Sequence, residues 1–220
     1  MIRGIIFDMD GVVIDSEHLW VEAIRQQMAK RSLVIPRTAA YQRYVNLHFR
    51  GRNQRHAILM WKRYFHLAEP ANELIRERVT LLLNIFKQKL RPIPGIRGLL
   101  NKTHPRYPLA LASSSPRSVI RYALRRVNLR SYFQSVISGD DFHHSKPNPE
   151  IFLTAARQLR LPARDCLVIE DSLSGVLAAH RARMRCIGLK QPYNTRRDLQ
   201  TADIVVQRLS QITLPLIRSL

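Results

Sequence analysis

The stretch "GIIFDMDGVVIDSEHLW", residues 4–20, decides the fold of this chain. Its first four residues are apolar, and Asp8, Asp10 and Gly11 come directly after them. Short apolar runs of this kind are typical of strands buried on both faces of a parallel sheet. Because ligands of open parallel sheets bind outside the carboxyl ends of the strands, the two aspartates stand where a functional site is expected.

Similar runs recur along the chain, at residues 109–112 ("LALA"), 135–138 ("SVIS"), 166–169 ("CLVI"), 186–189 ("CIGL") and 204–206 ("IVV"). Windows with helical periodicity lie between most of them, and two, residues 116–128 and 149–161, carry proline at or near the first turn. Strands that alternate with helices predict βαβ units, and therefore an α/β fold with a parallel sheet.

Residues 17–90 break this alternation, because they contain no convincing strand pattern and helical patterns dominate. Near their end, "ELIRERVTLLLNIFKQKL" predicts a helix that "RPIPG" terminates. We therefore predict an α/β core domain made of residues 1–16 and 91–220, with residues 17–90 inserted as a helical cap domain. The two crossings, near residues 14–17 and 88–94, are the expected hinges.

The composition limits the class of protein. The chain has 220 residues and a net charge of +20, spread along its length, which would attract anions without selecting among them. No apolar run approaches the roughly 18 residues that a membrane span needs, and the N-terminus does not resemble a secretory signal. We expect a cytoplasmic, monomeric protein that does not act at a membrane and whose two cysteines, Cys166 and Cys186, are buried thiols.

Polar side chains stand directly after the predicted strands and in one loop, and together they suggest phosphoryl chemistry. Carboxylates are the oxygen ligands that Mg²⁺ prefers, and they are too few here for a cage made of protein alone. A hydroxyl and an ammonium suit a phosphate group, and a carboxylate can act as the nucleophile when positive charge offsets the repulsion between anions. The candidates are Asp8, Asp10, Ser113, Ser114, Lys146, Glu170 and Asp171.

Each of these signals alone also has an ordinary structural explanation. "DMDG" could be a turn or a fragment of a calcium loop, and the serines at 113–115 could cap a helix. Glu170 and Asp171 could favour a helix dipole, and Lys146 could be a solvated surface lysine. Their joint occurrence at the ends of the expected strands favours a functional site.

Four ordered motifs also resemble those of the haloacid dehalogenase (HAD) superfamily of phosphotransferases: "DMDGVVIDSE", the serine after "LALA", "SKPNPEIF" and "VIEDSLSGVLAA". The resemblance spans nearly the whole chain and implies a HAD-like Rossmannoid core with a C1-type helical cap. The forms "EDS" and "DSE" resemble the β-phosphoglucomutase-like branch, which includes sugar-phosphate and hexitol-phosphate phosphatases.

Carried over to this chain, the resemblance implies that Asp8 is the nucleophile and a Mg²⁺ ligand. Asp10 becomes the general acid and base, with its main-chain carbonyl on the metal. Ser113 and Lys146 would bind the transferred phosphoryl group, with Ser114 in the phosphate loop. Asp171 would complete the metal ligands, with help from Glu170.

The resemblance leaves a choice between a phosphatase and a mutase. The mutase pattern has a histidine where this chain has Trp20, and its cap arginine would fall near Gln54, which Arg52 and Arg55 flank. We favour a Mg²⁺-dependent phosphatase of small sugar or sugar-alcohol phosphates, with a β-phosphoglucomutase-type phosphotransferase as the alternative. Trp20, Arg52 and Arg55 are candidate specificity residues, although for Trp20 a packing residue of the insertion is the favoured explanation.

Arginines at positions 117, 121 and 125 would share one face of a helix, with Arg126 and Arg130 beside them. A solvated face is the favoured explanation. The second alternative is a basic module on a HAD scaffold that binds nucleic acid or an anionic surface. We favour the enzyme because a pure binding module would not need the intact motif set, so nucleic acid is the less favoured partner.

Overall fold

A computed structural model of the chain describes residues 1–36, 38, 45 and 51–220. Residues 37, 39–44 and 46–50, which belong to the predicted insertion, lie outside the described residues. The described part contains a parallel sheet of six strands, β1 to β6 in chain order. They are Gly4–Phe7, Leu109–Ser113, Ser135–Ser138, Cys166–Glu170, Arg185–Leu189 and Ile204–Val206.

The sheet has the order β3-β2-β1-β4-β5-β6, so β1 lies at its centre. Phe7 of β1 is in register with Leu111 of β2 on one side and with Ile169 of β4 on the other. The carboxyl ends of these three strands therefore meet at one edge of the sheet. The predicted α/β fold with a parallel sheet is confirmed, and so is each of the six apolar runs as a strand.

Helices α1 to α8 of the described part are Glu17–Ala29, Gln54–Phe65, Ala71–Lys89, Ile96–Thr103, Arg117–Arg126, Glu150–Gln158, Leu173–Arg181 and Leu214–Arg218. Pro116 and Pro149 are the N-cap residues of α5 and α6, close to where the sequence places them. Both helices end two or three residues earlier than predicted, because Asn128 and Arg160 adopt positive φ angles that end a helix.

The sheet is buried between two apolar layers. Phe7 and Leu111 face a large cluster that includes Ile120 and Leu124 of α5. The opposite face packs against α6 and α7, with Phe152 and Val176 among its fully buried side chains. Strand β1 is buried along its whole length, so the backbone that leads to Asp8 is fixed on both faces.

Helices α1, α2 and α3 lie within residues 17–90, where the helical insertion was predicted, and α4 follows them before β2. Leu19 of α1 and Phe86 of α3 join the large cluster of the core, while Met28, Ala57 and Trp61 form a smaller cluster within the insertion. Each helix of the described part is too short or too polar to span a lipid bilayer.

The two chain crossings between the insertion and the rest of the chain run side by side. Ile14 forms an isolated antiparallel bridge with Pro92. On either side of it, the Asp15 backbone N donates to the Arg91 carbonyl oxygen at 3.0 Å, and the Ile93 N donates to the Val13 carbonyl oxygen at 3.0 Å. The crossings are therefore hydrogen-bonded to each other.

Candidate active site

The centre of the candidate site is a buried group of charges at the ends of β1 and β4. The Lys146 ammonium donates to Asp8 Oδ1 at 2.6 Å, to Glu170 Oε1 at 2.8 Å and to the Ala112 carbonyl oxygen at 3.3 Å. Lys146 is 1% exposed, so the sequence-based alternative of a solvated surface lysine is wrong. One ammonium thus links the ends of β1, β2 and β4.

Glu170 is held by the first turn of the chain after β4. Its Oε2 accepts hydrogen bonds from the backbone N of Asp171 and of Ser172, both at 2.8 Å, and from Ser172 Oγ at 2.9 Å. Ser172 is also the N-cap of α7, where its Oγ accepts from the Gly175 N at 3.1 Å. The Glu170 carboxylate is therefore oriented by four donors, the fourth being Lys146.

The buried group contains more carboxylates than cations, and the pKa values of its members are shifted. Burial raises the pKa of Asp8 well above its usual value, and the carboxylates of Glu170 and Asp10 add to this against the opposing effect of Lys146. Burial and the charge of Glu170 likewise raise the pKa of Asp171. Burial alone would lower the pKa of Lys146, but Asp8 and Glu170 outweigh it and raise that pKa. The buried acids outnumber the buried cation, so further positive charge would stabilise their ionised forms.

Asp171 lies beside this group and is held from the loop after β5. The Tyr193 hydroxyl donates to Asp171 Oδ2 at 2.8 Å, and Asn194 Nδ2 donates to the Asp171 carbonyl oxygen at 2.7 Å. Gln191 Nε2 donates to the Gly11 carbonyl oxygen at 2.6 Å. Gly11 has φ +83°, and a Cβ there would lie 2.2 Å from Asp171 Oδ2, so only glycine fits this turn.

The residues present suit a hard divalent cation. Asp8, Glu170 and Asp171 each offer a carboxylate oxygen, these three oxygens lie within 4.8 Å of one another, and all three residues are buried. A donor set of oxygens alone is the kind that Mg²⁺ prefers. The excess of buried negative charge is what such an ion would neutralise. The donor set and the charge balance both fit the magnesium ion predicted from the sequence.

Asp10 is held by four side chains from two parts of the chain. Its Oδ1 accepts from Ser16 Oγ at 2.5 Å and from Trp20 Nε1 at 2.9 Å. Its Oδ2 accepts from Ser115 Oγ at 2.7 Å and from Ser113 Oγ at 3.3 Å. The Asp10 carboxylate is therefore fixed in one orientation, and Trp20 of α1 is one of the groups that fix it.

Ser113 and Ser114 lie at the end of β2, as predicted, but face different neighbours. Ser113 is fully buried, and its Oγ also accepts from the Ser115 N at 3.1 Å. Ser114 Oγ donates to the Gly51 carbonyl oxygen at 2.7 Å. The turn at Ser114 therefore contacts the chain that precedes α2, and this contact closes one side of the site.

A pocket opens from these carboxylates toward α1, α2 and α3. Asp8, Asp10, Ser114 and Asp171 form its base, and its upper wall includes Trp20, Arg52, Gln54, Trp61 and Arg78. Of the predicted specificity residues, the structure brings Trp20 and Arg52 to the pocket. Arg55 is exposed, lies outside the pocket, and has Nη1 3.5 Å from Asn72 Oδ1.

Arg52 and Gln54 present buried polar atoms in this wall. Arg52 Nε and Gln54 Oε1 are inaccessible to solvent and have no hydrogen-bond partner among the described residues. Burial, and then the charge of Arg181, lower the pKa of Arg52. A ligand with both donors and acceptors could satisfy the two atoms.

Arg78, which the sequence did not single out, is fully buried in the pocket wall. Its Nε donates to Gln27 Oε1 at 2.8 Å, and its guanidinium lies 5.7 Å from the centre of the Trp61 ring. Arg78 lies four residues from both Leu74 and Leu82, which are buried. This i±4 spacing places Arg78 on the apolar face of the helix, and it was a usable sequence signal that the side chain is buried.

The loop that holds Asp171 was not predicted either. Gln191, Tyr193 and Asn194 stand just beyond the carboxyl end of β5, the same position that marked the other candidates after β1, β2 and β4. Their position was therefore a usable signal. Ser16 and Ser115, which hold Asp10, stand next to predicted motifs, but their roles depend on side-chain directions that spacing alone does not define.

Three comparisons place the chain among known proteins. The family model of haloacid dehalogenase-like hydrolases matches residues 5–189. Hexitol phosphatase B of Escherichia coli (strain K12) is 30% identical over 216 residues, which cover 96% of this chain and 95% of that protein. A phosphorylated carbohydrates phosphatase of Thermotoga maritima is 31% identical over 205 residues, 92% of each chain.

The crystal structure of β-phosphoglucomutase from Clostridium difficile has the same fold, with a TM-score of 0.85 at 22% identity over 100% of this chain and 96% of that one. The family match covers most of the chain, and the relatives span nearly its whole length. Their names agree with the resemblance that the four motifs indicate. The chain is therefore an enzyme of the haloacid dehalogenase-like hydrolase family, in which its relatives of 30% identity or more include hexitol and carbohydrate phosphatases.

Proposed function

We propose that this enzyme is a Mg²⁺-dependent phosphatase of small sugar or sugar-alcohol phosphates that works through an aspartyl-phosphate at Asp8. The observation that carries the proposal is the Asp8 carboxylate, which lies at the base of a pocket, 2.6 Å from the Lys146 ammonium and beside Glu170 and Asp171. Positive charge around a nucleophilic carboxylate offsets its repulsion from an anionic substrate. In this cluster Lys146 supplies one positive charge, and the carboxylates would hold a cation that supplies more.

Asp8 and Asp171, with Glu170 and the main-chain carbonyl of Asp10, would hold Mg²⁺, which supplies positive charge that offsets the repulsion between Asp8 and the substrate phosphate. Among these carboxylates, Glu170 has the least capacity left to bind a metal ion, because its two oxygens already accept four hydrogen bonds. We infer that Glu170 mainly orients Lys146 and the turn that carries Asp171.

In the first step, Asp8 attacks phosphorus while the bond between phosphorus and the ester oxygen breaks. Asp10 gives its proton to the leaving oxygen, and Ser113 and Lys146 bind oxygens of the transferred group. In the second step, Asp10 takes a proton from water as that water attacks the aspartyl-phosphate, which releases inorganic phosphate and free Asp8. Asp10 thus needs a fixed position in both steps, and its four hydrogen bonds support this role.

The pocket wall supports a polyhydroxylated leaving group. Arg52 Nε and Gln54 Oε1 are a buried donor and acceptor that substrate hydroxyl groups could satisfy, and Arg78 adds a buried charge to the same wall. Relatives named hexitol phosphatase and phosphorylated carbohydrates phosphatase support the same substrate class. We propose that residues 17–90 act as a cap that closes over the substrate and excludes water, as lids do in other enzymes.

The phosphatase is preferred to the mutase because relatives named as phosphatases are about 30% identical over nearly the full chain, and because Trp20 stands where the mutase pattern has a histidine. The test is a phosphate-release screen over hexose and hexitol phosphates with and without Mg²⁺, using the wild type and Asp8→Asn. We expect Mg²⁺-dependent release by the wild type and none by the variant. If the enzyme converts β-glucose 1-phosphate to glucose 6-phosphate faster than it releases phosphate, the proposed function is wrong and the enzyme is a mutase.

A further inference from the structure

A second cleft lies away from the active site, between α5 and the edge strand β3. Its volume is about 530 Å³, and it shares no lining residue with the pocket above Asp8. Arg117, Arg121, Arg125 and Arg130 line it, together with Gln134 and Gln158, and none of its lining residues is acidic. The cleft is therefore strongly basic, on a chain whose net charge is already +20.

Three of the four arginines keep their charge available. Arg117 forms an ion pair with Asp141, and its backbone N donates to Asp140. For Arg121, Arg125 and Arg130, in contrast, no carboxylate of the described residues lies within 4.0 Å. All three residues are exposed, so an incoming anion can reach them, although Arg130 Nη1 already donates to the Phe133 carbonyl oxygen at 2.7 Å.

The arginines of α5 are arranged in a row. Arg117, Arg121 and Arg125 are spaced four residues apart, so they lie on one face with a rise of about 6 Å between neighbours. Like charges at this spacing destabilise an isolated helix. A row of separated charges fits a linear chain of phosphates better than one compact phosphate group.

One lining residue of the cleft does not face the arginines. Ser135, at the start of β3, is 9% exposed, and its Oγ is inaccessible to solvent and has no hydrogen-bond partner within the described part of the chain. It belongs to the lining, beside Gln134. Ser135 is in register with Ala110 of β2, so its side chain faces the α6 side of the sheet and not the arginine row of α5.

We propose that this cleft binds the phosphate backbone of a single nucleic acid strand. The proposed contacts are arginine and glutamine side chains, which suit phosphate oxygens, and the lining offers no pattern for reading a base sequence. Binding is therefore independent of sequence and weakens steeply with salt. The site is separate from the catalytic pocket, so this inference holds whether or not the proposed phosphatase activity does.

The test uses the full chain and a fluorescein-labelled oligothymidylate of about 20 nucleotides, with anisotropy measured over a range of salt concentrations. The cleft variant is Arg121→Glu/Arg125→Glu/Arg130→Glu. The matched control, Arg63→Glu/Arg196→Glu/Arg218→Glu, makes the same change in net charge at exposed arginines outside the cleft. We expect the cleft variant to bind at least about tenfold more weakly and to lose about 2 units of the slope of log affinity against log salt, with the control within about threefold of wild type.

Equal weakening of both triple variants would overturn the proposal, because net charge alone would then explain binding. Tripolyphosphate that binds the wild type as tightly as the oligonucleotide would overturn it too, in favour of a small-anion site. If the cleft variant does not fold, the neutral pair Arg121→Gln/Arg125→Gln serves instead, with an expected loss of about threefold in affinity. Phosphate release by the wild type and both triple variants is measured in parallel and should be equal.

Discussion

Trp20 Nε1 donates a hydrogen bond to Asp10 Oδ1 over 2.9 Å, so a residue of α1 holds a carboxylate at the end of β1. Trp20 is also packed in the large apolar cluster and lines the pocket. The two explanations that the sequence left open, packing residue and pocket residue, are both correct at this position. Its indole joins the insertion to the proposed acid and base.

Replacing Trp20 with phenylalanine should therefore impair turnover more than folding. The variant keeps an aromatic ring but loses the donor to a carboxylate, a hydrogen bond worth about 2 kcal/mol, so kcat should fall roughly thirtyfold. Trp20→His, which can donate again, should recover part of the loss. Steady-state kinetics and thermal unfolding check this, and equal kcat values for wild type and Trp20→Phe would contradict it.

Gly51→Ala should weaken closure over the substrate. Gly51 has φ +72°, and a Cβ there would lie 2.2 Å from Ser174 Oγ and 2.6 Å from Ser172 Oγ. The added methyl group would displace the contact between Gly51 and Ser114, so we expect KM to rise about tenfold. The matched control is Gly98→Ala in α4, where an added Cβ meets nothing within 4 Å. This control should stabilise the fold by about 0.5–1 kcal/mol. A normal KM in Gly51→Ala would count against a closing cap.

Lys146→Met should destabilise the protein and make its stability depend more on Mg²⁺. The change leaves Asp8 and Glu170 without their ammonium, and breaking a buried ion pair in this way costs about 3–5 kcal/mol. A bound cation would offset part of this loss, so Mg²⁺ should stabilise the variant more than the wild type. Urea unfolding with and without Mg²⁺ measures both effects. Lys87→Met, at an exposed site, should change stability by less than about 0.5 kcal/mol.

Removal of Mg²⁺ by a chelator should abolish activity, and Tyr193→Phe should make the enzyme need more of the metal. The Tyr193 hydroxyl orients Asp171, and losing such a support typically weakens metal binding about tenfold or more. The Mg²⁺ concentration for half-maximal activity should rise by that factor, while KM at saturating Mg²⁺ stays the same. Mg²⁺ titration of thermal stability gives a second readout, and an unchanged midpoint in both assays would remove Tyr193 from this role.

Neither cysteine should react with a thiol reagent in the folded protein. Burial, and then the charge of Asp165, raise the pKa of Cys166 to about 11, and burial, with Glu170 and Asp203, raises the pKa of Cys186 well above its usual value. The reactive thiolate is thus scarce near pH 8, and both thiols are shielded. Ellman's reagent should label the protein only after unfolding. Rapid labelling of the native protein would show that β4 or β5 opens readily.

The fold was predictable because its strands are short and mostly buried, so each apolar run corresponds to one strand. The clearest errors lie at helix ends, where Asn128 and Arg160 turn the chain earlier than periodicity suggests. The candidate residues at the carboxyl ends of β1, β2 and β4 are brought together because neighbouring parallel strands end at one edge. Their roles, the domain boundaries, the cytoplasmic location and the monomeric state stay predictions.

Other parts of the site depend on tertiary contacts that no local pattern encodes. Arg55 was a reasonable specificity candidate by position, but α2 turns its side chain away from the pocket and presents Gln54 instead. Trp20 reaches Asp10 because α1 packs directly over the end of β1. Sequence spacing defines which residues share a face of one helix, but not which strand end that face covers.

The bridge between Ile14 and Pro92 limits how the insertion can move. Because the outgoing and returning segments are tied together, the insertion cannot swivel on two independent pivots. If the proposed cap opens, it therefore rotates as one body about a single hinge at this bridge. Trp20 lies six residues beyond this bridge, so an opening of the proposed cap that carried α1 with it would separate the indole from Asp10. Asp10, the proposed general acid and base, would then be fully aligned only when the cap is closed. Catalysis would therefore depend on enclosure of the substrate.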